Sequence, residues 1–310
     1  MSQKRCGAVA LVGLPNAGKS SILNALIGQK IAPVSFKAQT TRQSIRGIHT
    51  KEDVQIIFVD TPGLIEAEYE LQTYMQKQTL TSANDVDVLV WVSDVAHVLA
   101  KSAHKTLDLA HLKTLLQRLN REQKPVLWVL NKIDYLSDKS AMLPLIEEVA
   151  RLNLFSAVIP VSAKTSEGLD DLFSELAQKL PEQEFLFDAD AVTDTFERQI
   201  VAEFIREKAL AFLDNEVPYQ IAVTIESFDE KRKDDPKKPL VEIEAVLYVE
   251  REGQKKIVIG KNGEKIKQIG IAARQEIELL LQCQVMLKLF VRVQPGWTQG
   301  VKDLKKLGFV

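Results

Sequence analysis

The sequence predicts two domains, an α/β domain with a mostly parallel sheet and helices on both faces, followed by an α+β domain. Three observations predict this order. Apolar runs alternate with stretches of helical periodicity over the first 180 residues, as in a parallel sheet whose strands are joined by helices. Near residue 181 a proline and several acidic residues interrupt this alternation. Beyond it, the runs IAVTIES (221–227) and VEIEAVLYV (241–249) alternate apolar and polar residues, which is typical of a pair of antiparallel strands.

Five runs of the first domain are predicted to be strands buried on both faces, because apolar residues predominate in each. They are GAVALVG (7–13), VQIIFVD (54–60), VDVLVWVSD (86–94), KPVLWVLN (124–131) and FSAVIPVSA (155–163). The first helix between them is predicted to end at Gly28, and the last before Pro181. We place this domain at residues 1–180 and a linker at 181–193.

The second domain is placed at residues 194–310 and includes a C-terminal tail. Asp194 and Glu197 have the spacing of a capping box at the start of its first helix. One face of that helix is predicted to carry Phe196, Ile200, Phe204 and Ile205. Two strands, a further helix and a last strand follow, and the stripe of the further helix is Ile266, Ile269, Ala273, Ile277 and Leu280. Trp297 is predicted to pin the tail to the core, with stacking on a base as the alternative.

Composition limits the class of protein. The formal net charge is −2 and 45% of the residues are hydrophobic, as in a soluble globular protein. Two cysteines are too few for a zinc cluster or a disulfide framework. Neither a run of about 18 apolar residues nor a signal peptide is evident, so we expect a cytoplasmic protein.

The charge is unevenly distributed along the second domain. Residues 181–250 contain 8 Lys/Arg and 18 Asp/Glu, whereas residues 251–306 contain 12 and 5. A concentrated positive segment attracts a nucleic-acid backbone, although a solvated surface would also carry one.

Residues 13–20, GLPNAGKS, follow the first predicted strand and precede the first helix. They fit the pattern G-x-x-x-x-G-K-[ST], in which glycines let backbone N–H groups point at phosphate oxygens. Lys19 would place its charge on the β- and γ-phosphates, and Ser20 would offer a hydroxyl to Mg²⁺. A glycine-rich packing turn is the alternative, but the strand before and the helix after favour a phosphate loop.

Two further motifs indicate the nucleotide. In DTPG (60–63), at the end of a strand, Asp60 is expected to hold Mg²⁺ through water, and the Gly63 N–H to meet the γ-phosphate. In NKID (131–134), the Asp134 carboxylate can accept both N1–H and the exocyclic amine of guanine. Adenine offers no such pair of donors, so the motif favours guanine.

Three groups are expected to surround the base. Asn131 would bond to the acceptor edge of guanine and tie down the phosphate loop, and the Lys132 stem would lie along the base. The Ala163 N–H, in SAK, would reach guanine O6. The motifs occur in order at the carboxyl ends of strands, where open α/β sheets bind ligands. The predicted GTP-binding residues are Gly13, Leu14, Pro15, Asn16, Ala17, Gly18, Lys19, Ser20, Ser21, Asp60, Thr61, Pro62, Gly63, Leu64, Asn131, Lys132, Ile133, Asp134, Ser162, Ala163 and Lys164.

The polar segment KAQTTRQ (37–43) is predicted to be a switch, because a Thr there completes the Mg²⁺ shell only when a γ-phosphate is present. Thr41 is favoured over Thr40, and a plain polar connector is the alternative. The predicted Mg²⁺ ligands are therefore Ser20, Thr41 and Asp60, and the predicted catalytic residues are Lys19, Thr41 and Gly63.

Hydrolysis is expected to be slow without an activator. Leu64 stands where many signalling GTPases carry a glutamine that orients the attacking water, and a leucine has no amide to do so. Asn16 is a candidate ligand for a K⁺ ion near the phosphates, or else stabilises the loop.

A second pattern lies in the basic segment, where Gly260, Lys261, Asn262 and Gly263 directly precede the predicted helix. A G-x-x-G turn lets the backbone approach a sugar-phosphate chain closely, and the helix start adds positive potential. This is the signature of a KH module, which clamps about four single-stranded nucleotides. Two glycines at a helix start are common, but the surrounding lysines favour this interpretation. The predicted RNA-binding residues are Lys255, Lys256, Gly260, Lys261, Asn262, Gly263, Lys265 and Lys267.

Together these motifs resemble the Era family of bacterial GTPases. The resemblance runs from VALVGLPNAGKSSILNALIGQKI through KAQTTR, DTPG, NKID and VSAK to VEREGQKKIVIGKNGEKIKQIGIAAR. It implies a P-loop NTPase fold, a type II KH fold, and binding of GTP and GDP with Mg²⁺. It also implies recognition of the 3′ end of 16S ribosomal RNA, a role in 30S subunit assembly, a monomer, and peripheral contact with the inner membrane. Leu14, Gln43 and Gln199 stand where the family commonly has Arg, His and Phe.

The leading hypothesis is a GTPase switch in ribosome assembly. In it, GTP orders residues 35–45 and the segment after Gly63, the linker transmits that order, and the second domain then holds ribosomal RNA. An RNA-binding factor that uses GTP only as a ligand is the second hypothesis. The third, a kinase or ATPase, predicts that Asp134→Asn leaves ATP binding strong.

Overall fold

The computed structural model describes residues 3–37, 39–103, 108–120, 122–214, 217–233, 235–236 and 238–309. Its contacts divide the chain into two compact units. The first unit consists of Met1–Lys30, Thr41–Ile65 and Met75–Asp194, and the second of Ile31–Thr40, Glu66–Tyr74 and Thr195–Val310. Two internal segments of the N-terminal half therefore group with the C-terminal residues.

A six-stranded sheet forms the first unit. Its strands are β1 (Arg5–Gly13), β2 (Ile45–Lys51), β3 (Val54–Asp60), β4 (Val88–Asp94), β5 (Val126–Asn131) and β6 (Ala157–Pro160). The helices of this part of the sequence are α1 (Lys19–Ile27), α2 (Glu70–Asn84), α3 (Val95–Ala103), α4 (Leu109–Leu119), α5 (Leu143–Ala150) and α6 (Leu169–Lys179). The strand order is β2-β3-β1-β4-β5-β6, and only the β2–β3 pair among these is antiparallel. The predicted mostly parallel α/β fold is confirmed.

The central strands are held in a continuous apolar core. β5 is buried along its whole length, and β4 over its first five residues. The buried Trp128 on β5 packs its ring 5.0 Å from that of Phe155. Its indole N–H donates to Ser93 Oγ at 3.0 Å, so the one polar atom of this side chain is satisfied. This packing gives the carboxyl ends of the strands a rigid base.

The predicted linker, residues 181–193, is hydrogen-bonded to the first unit. The buried Gln55 on β3 accepts a hydrogen bond from the Leu186 N–H through Oε1, at 2.9 Å. The Ile48 N–H on β2 donates to the Val192 carbonyl at 2.7 Å. The segment therefore packs along the sheet, and its role as a boundary stays a prediction.

The second unit contains a three-stranded sheet. Its elements in chain order are α7 (Glu197–Phe212), β7 (Ala222–Arg232), β8 (Leu240–Val249), α8 (Glu252–Ile259), α9 (Glu264–Leu281), β9 (Gln284–Val293) and α10 (Val301–Lys306). β7 pairs with β8 in antiparallel and β9 with β8 in parallel orientation. The predicted α+β order of helix, two strands, helical region and strand is confirmed.

The start of α7 differs from the prediction. Phe196 is the N-cap residue, makes no side-chain capping bond and is 81% exposed. Asp194 instead forms an ion pair with Arg46, at 2.7 Å, so the predicted capping box of Asp194 and Glu197 is wrong. An acidic side chain can cap a helix or pair with a distant cation, and sequence spacing does not separate the two. The other three predicted face residues, Ile200, Phe204 and Ile205, are buried.

The buried stripe of α9 is shifted at its end. It consists of Ile269, Ala273, Ile277 and Leu281, so Leu281 takes the place predicted for Leu280, and Ile266 is half-buried. Four-residue steps keep these side chains on one face down to the last turn. Within the described ranges no helix, including α9 with its 18 residues, is long and apolar enough to cross a membrane.

Trp297 packs inside the second unit, as predicted. The residue is fully buried, and its indole N–H donates to the Gln220 carbonyl at 3.2 Å. Its ring lies 5.8 Å from that of Phe309 with 15° between the planes. The aromatic pair fastens α10 and the chain end to the core of this unit.

Candidate functional site

The predicted nucleotide residues stand at the carboxyl ends of strands of the first unit. Gly13 ends β1, Asp60 ends β3 and Asn131 ends β5, while Ser162 follows β6 by two positions. Because β1, β3, β5 and β6 run parallel, these ends meet at one edge of the sheet. The structure thus brings together residues that are more than a hundred positions apart in the sequence.

The glycines of the phosphate loop are required by conformation and by space. Gly13 has φ 151° and Gly18 has φ 92°, a region that other residues rarely adopt. A Cβ on Gly13 would lie 2.3 Å from the Val92 carbonyl oxygen, and one on Gly18 would lie 2.2 Å from Asn131 Nδ2. The loop is therefore packed tightly on the ends of β4 and β5, and any side chain there would displace it.

Lys19 begins α1 and folds back over the loop. Its Nζ donates to the carbonyls of Gly13, at 3.3 Å, and Leu14, at 3.1 Å. Burial lowers the pKa of this ammonium, and the nearby Asp60 carboxylate opposes that shift. A buried cation over a ring of backbone groups is the arrangement that a phosphate loop uses.

Ser20, Thr41 and Asp60 form a close triangle of oxygen atoms. Asp60 Oδ2 accepts hydrogen bonds from Ser20 Oγ at 2.6 Å and from Thr41 Oγ1 at 3.1 Å, and the two hydroxyl oxygens are 3.0 Å apart. Thr40 instead donates to the Lys37 carbonyl at 2.7 Å, so of the two threonines it is Thr41 that lies in this triangle.

The triangle suits a hard divalent cation. Asp60 is fully buried, and its Oδ1 has no hydrogen-bond partner among the described residues. Burial raises the pKa of this carboxyl, although the Lys19 charge and the two hydroxyl bonds oppose the shift. An orphaned carboxylate oxygen beside two hydroxyls is the all-oxygen donor set that Mg²⁺ prefers.

The DTPG segment is fixed beside the phosphate loop. The Thr61 hydroxyl donates to the Leu11 carbonyl at 2.8 Å, and the Thr79 hydroxyl to the Pro62 carbonyl at 3.0 Å. The Leu64 N–H donates to the Gly13 carbonyl at 3.0 Å. These bonds hold the backbone between Asp60 and Leu64 against the loop.

Gly63 and Leu64 have different surroundings within that segment. A Cβ on Gly63 would lie 2.9 Å from Pro15 Cα, so the two loops approach as closely as backbone allows. The half-buried Leu64 side chain packs against the apolar core cluster of the first unit. It thus contributes packing and no polar group.

Asn131 connects three loops of the predicted base site. Its Nδ2 donates to the Ala17 carbonyl at 3.0 Å, and its Oδ1 accepts from the N–H groups of Lys132, at 2.8 Å, and Ala163, at 3.1 Å. The predicted tie between Asn131 and the phosphate loop is therefore present. The Ala163 N–H, predicted to reach guanine O6, is bonded to Asn131 in this structure.

The Asp134 carboxylate is oriented by Ser162. Ser162 Oγ donates to Asp134 Oδ1 at 2.7 Å and accepts from the Thr165 N–H at 3.2 Å. Lys132, in the left-handed region with φ 70°, forms an ion pair with Asp94 at 2.7 Å.

Three other residues predicted to bind GTP have surroundings that do not indicate a direct contact with the nucleotide. The Ile133 side chain is buried in the apolar core, and Lys164 Nζ lies 5.9 Å from the ring centre of Tyr135. Ser21 is half-buried in the first turn of α1.

Sequence reasoning missed Asp94. It ends β4 and also accepts from the N–H groups of Ala96, at 3.0 Å, and His97, at 3.4 Å. Its place at the carboxyl end of a buried strand was the signal that could have identified it. It anchors the Lys132 ammonium beside the predicted base site.

The predicted RNA site lies in the second unit, between α8 and α9. Gly260 has φ 74° and ψ 177°, and a Cβ there would lie 2.7 Å from Lys265 Cβ. Gly263, with φ 76°, has open space around it, and Asn262 between them is exposed with φ 53°. The turn thus depends on sterics at Gly260 and on backbone conformation at Gly263.

The five predicted lysines surround this turn without acidic partners. Over the part of the chain that the structure describes, none of them forms a salt bridge, and all are exposed or half-buried. They are Lys255, Lys256, Lys261, Lys265 and Lys267. The start of the 18-residue helix α9 adds its own positive potential. The surface therefore suits a polyanion.

Comparison with known proteins identifies both parts of the chain. Residues 8–132 match the family described as 50S ribosome-binding GTPase, and residues 216–298 match the KH domain family. The GTPase Era of Lactobacillus delbrueckii subsp. bulgaricus is 41% identical over 308 residues, covering 99% of this chain and 97% of that protein. The GTPase Era of Pseudomonas aeruginosa is 40% identical, covering 98% and 95%.

Solved structures agree with this result. A crystal structure of an Aquifex aeolicus Era variant bound to GDP.AlF4⁻ has a TM-score of 0.90 and 35% identity, covering 99% of each chain. A structure of Era in complex with MgGDPNP and nucleotides 1506–1542 of 16S ribosomal RNA gives the same values. With the phosphate loop, the base-site motifs and the G-x-x-G turn all in place, the chain belongs to the Era family of GTPases.

Proposed function

We propose that this chain is a GTP-binding and GTP-hydrolysing switch that binds the 3′ end of 16S ribosomal RNA and acts in 30S subunit assembly in the cytoplasm. The observation that carries the proposal is the meeting of Ser20, Thr41 and Asp60 beside the phosphate loop. Thr41 enters this cluster from the loop before β2, so one cation there would join that loop to the nucleotide site. The reaction is attack of water on the γ-phosphate of GTP, giving GDP and phosphate.

Stabilisation of phosphate charge is the main chemical task of the site. Bound Mg²⁺ supplies positive charge to the phosphate oxygens. Ser20 and Thr41 would hold it directly and Asp60 through water. The Lys19 ammonium now bonds to two loop carbonyls, and it would exchange these for β- and γ-phosphate oxygens. The Gly63 N–H would bond to the γ-phosphate.

Asp134 would select guanine over adenine. Its carboxylate would accept N1–H and the exocyclic amine, and the bond from Ser162 keeps it in one orientation. Asn131 would bond to the acceptor edge of the base, and the Ala163 N–H, now bonded to Asn131 Oδ1, would exchange that bond for one to O6. Adenine would leave the carboxylate facing no donor pair, which is costly where water is scarce.

Orientation of the attacking water is the step for which the residue after DTPG, Leu64, supplies no side-chain amide. Because Leu64 packs into the core, an additional activator is needed, and we propose that Asn16 binds K⁺ near the phosphates to provide it. Potassium added to a sodium buffer should then raise the turnover rate at saturating GTP, and Asn16→Ala should remove that difference. Equal rates in the two salts would refute this role.

The KH domain would supply the RNA-binding surface. The backbone of Gly260–Gly263 would approach the sugar-phosphate chain, and the lysines around it would neutralise phosphates. The relative solved with nucleotides 1506–1542 of 16S ribosomal RNA supports this assignment.

The test uses the full chain with a labelled RNA that carries the 3′ end of 16S ribosomal RNA. Gly260→Asp and Gly263→Asp should abolish RNA binding, because each adds a negative charge at the proposed contact, while GTP affinity stays unchanged. Gly296→Asp, at another glycine with positive φ, is the matched control and should leave RNA affinity intact. Unchanged RNA affinity in both site variants would refute the assignment.

A second candidate function is an RNA-binding factor that uses GTP only as a ligand. The packing of Leu64, which leaves no amide for water, is the observation that favours it. Single-turnover hydrolysis with and without K⁺ and small subunits separates the two. Acceleration under any of these conditions supports the switch, and none under all of them supports the ligand role.

Three further proposals follow from family membership. We propose that the functional domains are residues 1–180 and 194–310, that the chain is a monomer, and that it makes peripheral contact with the inner membrane. Light scattering would measure the mass in solution, and flotation with anionic vesicles would measure membrane contact. A dimeric mass, or no flotation at low salt, would refute the respective proposal.

A further inference from the structure

The segment Ile31–Thr40 connects α1 to Thr41, yet it groups with the C-terminal residues in the second unit. It thus precedes a predicted Mg²⁺ ligand directly in the chain. Hydrogen bonds join it to α7 and to the residues that follow this helix.

Hydrogen bonds from several of its described residues hold the segment there. Glu207 Oε2 accepts from the Val34 N–H at 2.9 Å, and Arg206 Nη1 donates to the Gln39 carbonyl at 3.2 Å. Lys37 Nζ donates to the Leu213 carbonyl just beyond α7. The bonds are spread along the segment, so they fix its course and not one point of it.

The two α7 side chains are buried charges. Arg206 is 1% exposed and Glu207 is 4% exposed, and Arg206 is also paired with the buried Glu203. A buried charge is stable only with its full set of partners, so the helix holds the segment in one arrangement. Gln39, whose carbonyl Arg206 holds, lies two positions before Thr41.

The same helix is also tied to α9. Lys208 Nζ bonds to Glu207 Oε1 at 2.8 Å and to Glu276 Oε1, on α9, at 2.7 Å. Glu207 thus uses one oxygen for the segment before Thr41 and the other for the lysine that reaches the helix of the G-x-x-G turn. Movement of the segment would disturb Glu207, and through Lys208 it would disturb α9.

We propose that Arg206 and Glu207 are positioning residues for Thr41, and that the Glu207–Lys208–Glu276 bridge couples the nucleotide state to the RNA-binding helix. This inference rests on the proposed function. It assigns the coupling to α7, whereas the sequence suggested the linker. Because coupling is reciprocal, bound RNA would also favour the arrangement that presents Thr41.

The first test measures RNA affinity of the full chain with GDP and with a non-hydrolysable GTP analogue. Wild type should bind the 16S 3′-end RNA at least about fivefold more tightly in one nucleotide state. Lys208→Met should bring this ratio close to one. Lys231→Met is the matched control and should keep the ratio, because Lys231 is an exposed lysine of β7 that pairs with Asp229, two residues away.

The second test measures the positioning of Thr41. Arg206→Met should lower the turnover rate for GTP and weaken GTP binding while GDP affinity stays unchanged, because Thr41 acts only with a γ-phosphate. Arg206→Lys retains a cation and should recover part of the rate. Thermal melts of both variants measure whether they fold. The coupling is tested separately by Lys208→Met, which does not alter the fully buried Arg206.

The outcomes separate the inference from the function on which it rests. If wild type binds RNA equally in both nucleotide states, the proposed GTP-dependent function fails and the coupling fails with it. If wild type discriminates and Lys208→Met discriminates equally, only the bridge is refuted. A GDP affinity that falls as much as GTP affinity in Arg206→Met would refute the positioning role.

Discussion

Replacing Asp134 by Asn tests how the base is selected. The carboxylate is held by Ser162 Oγ at 2.7 Å, and an amide of the same size can keep that bond through its carbonyl oxygen. The substitution therefore alters the group presented to the base with little change in packing. Where the carboxylate would accept from the exocyclic amine of guanine, the amide would present an N–H₂ group to another N–H₂ group.

The expected loss follows from the bonds removed. A hydrogen bond to a charged group contributes about 1.5–3 kcal/mol, so two such bonds to guanine contribute roughly 3–6 kcal/mol. The amide keeps one neutral bond of about 1 kcal/mol, which leaves a loss of about 2–5 kcal/mol, or roughly 30- to 5000-fold in GTP affinity. Xanthine carries a carbonyl in place of the amine, so xanthosine triphosphate should gain affinity.

Calorimetry with magnesium and GTP, xanthosine triphosphate or ATP is the assay. Asp171→Asn, at an exposed aspartate of α6, is the matched control and should leave all three affinities unchanged. Ser162→Ala should cost GTP affinity about 1 kcal/mol, roughly fivefold, and much of this loss should vanish in the Asp134→Asn background. Unchanged GTP affinity in Asp134→Asn, or a gain for ATP instead, would refute this account.

Trp297→Ala should lower the free energy of unfolding by about 3–5 kcal/mol in chemical denaturation, because a fully buried ring and its hydrogen bond are lost; a change below about 1 kcal/mol would contradict the packing role. Burial lowers the pKa of the His49 imidazole below 6.5, so the unfolded chain takes up this proton first as the pH falls. Stability should therefore decline as the pH drops below about 6.5, and His49→Gln should reduce that slope; equal slopes would exclude the effect. Gly263→Ala has open space for its Cβ and should cost about 1 kcal/mol, whereas Gly260→Ala should cost more because its Cβ would clash; thermal melts that rank them in reverse would contradict the geometry.

The nucleotide site could be predicted because its chemistry is local in sequence. Each motif is a short run of residues at the end of a strand. A parallel sheet brings the carboxyl ends of its strands to one edge, regardless of the length and structure of the segments between them. Periodicity likewise located the buried faces of α7 and α9, since a helix face depends on residues three and four positions apart. Apolar runs likewise indicated where most strands lie along the chain, but they did not give the order of the strands within each sheet, which only the structure shows.

The missed contacts depend on partners far away in the sequence. Asp194 had the spacing of a cap, but Arg46 lies 148 positions before it, and only the folded chain brings the two together at 2.7 Å. Arg206 and Glu207 resemble solvated charges on a helix surface. Their partners, in residues 34–39, precede them by more than 160 positions. Charge patterns show that a side chain needs a partner without showing which one.

The packing of residues 181–193 has a practical consequence for dissecting this protein. The buried Gln55 donates through Nε2 to the Phe187 carbonyl at 2.9 Å and accepts through Oε1 from two backbone N–H groups of the same strip. A fragment that ended at residue 180 would remove these backbone partners of the buried Gln55 amide. It would also expose the surface of β2 and β3 that residues 181–193 cover. A fragment intended to fold and bind nucleotide by itself should therefore extend to residue 194, so that it includes the ion pair between Asp194 and Arg46.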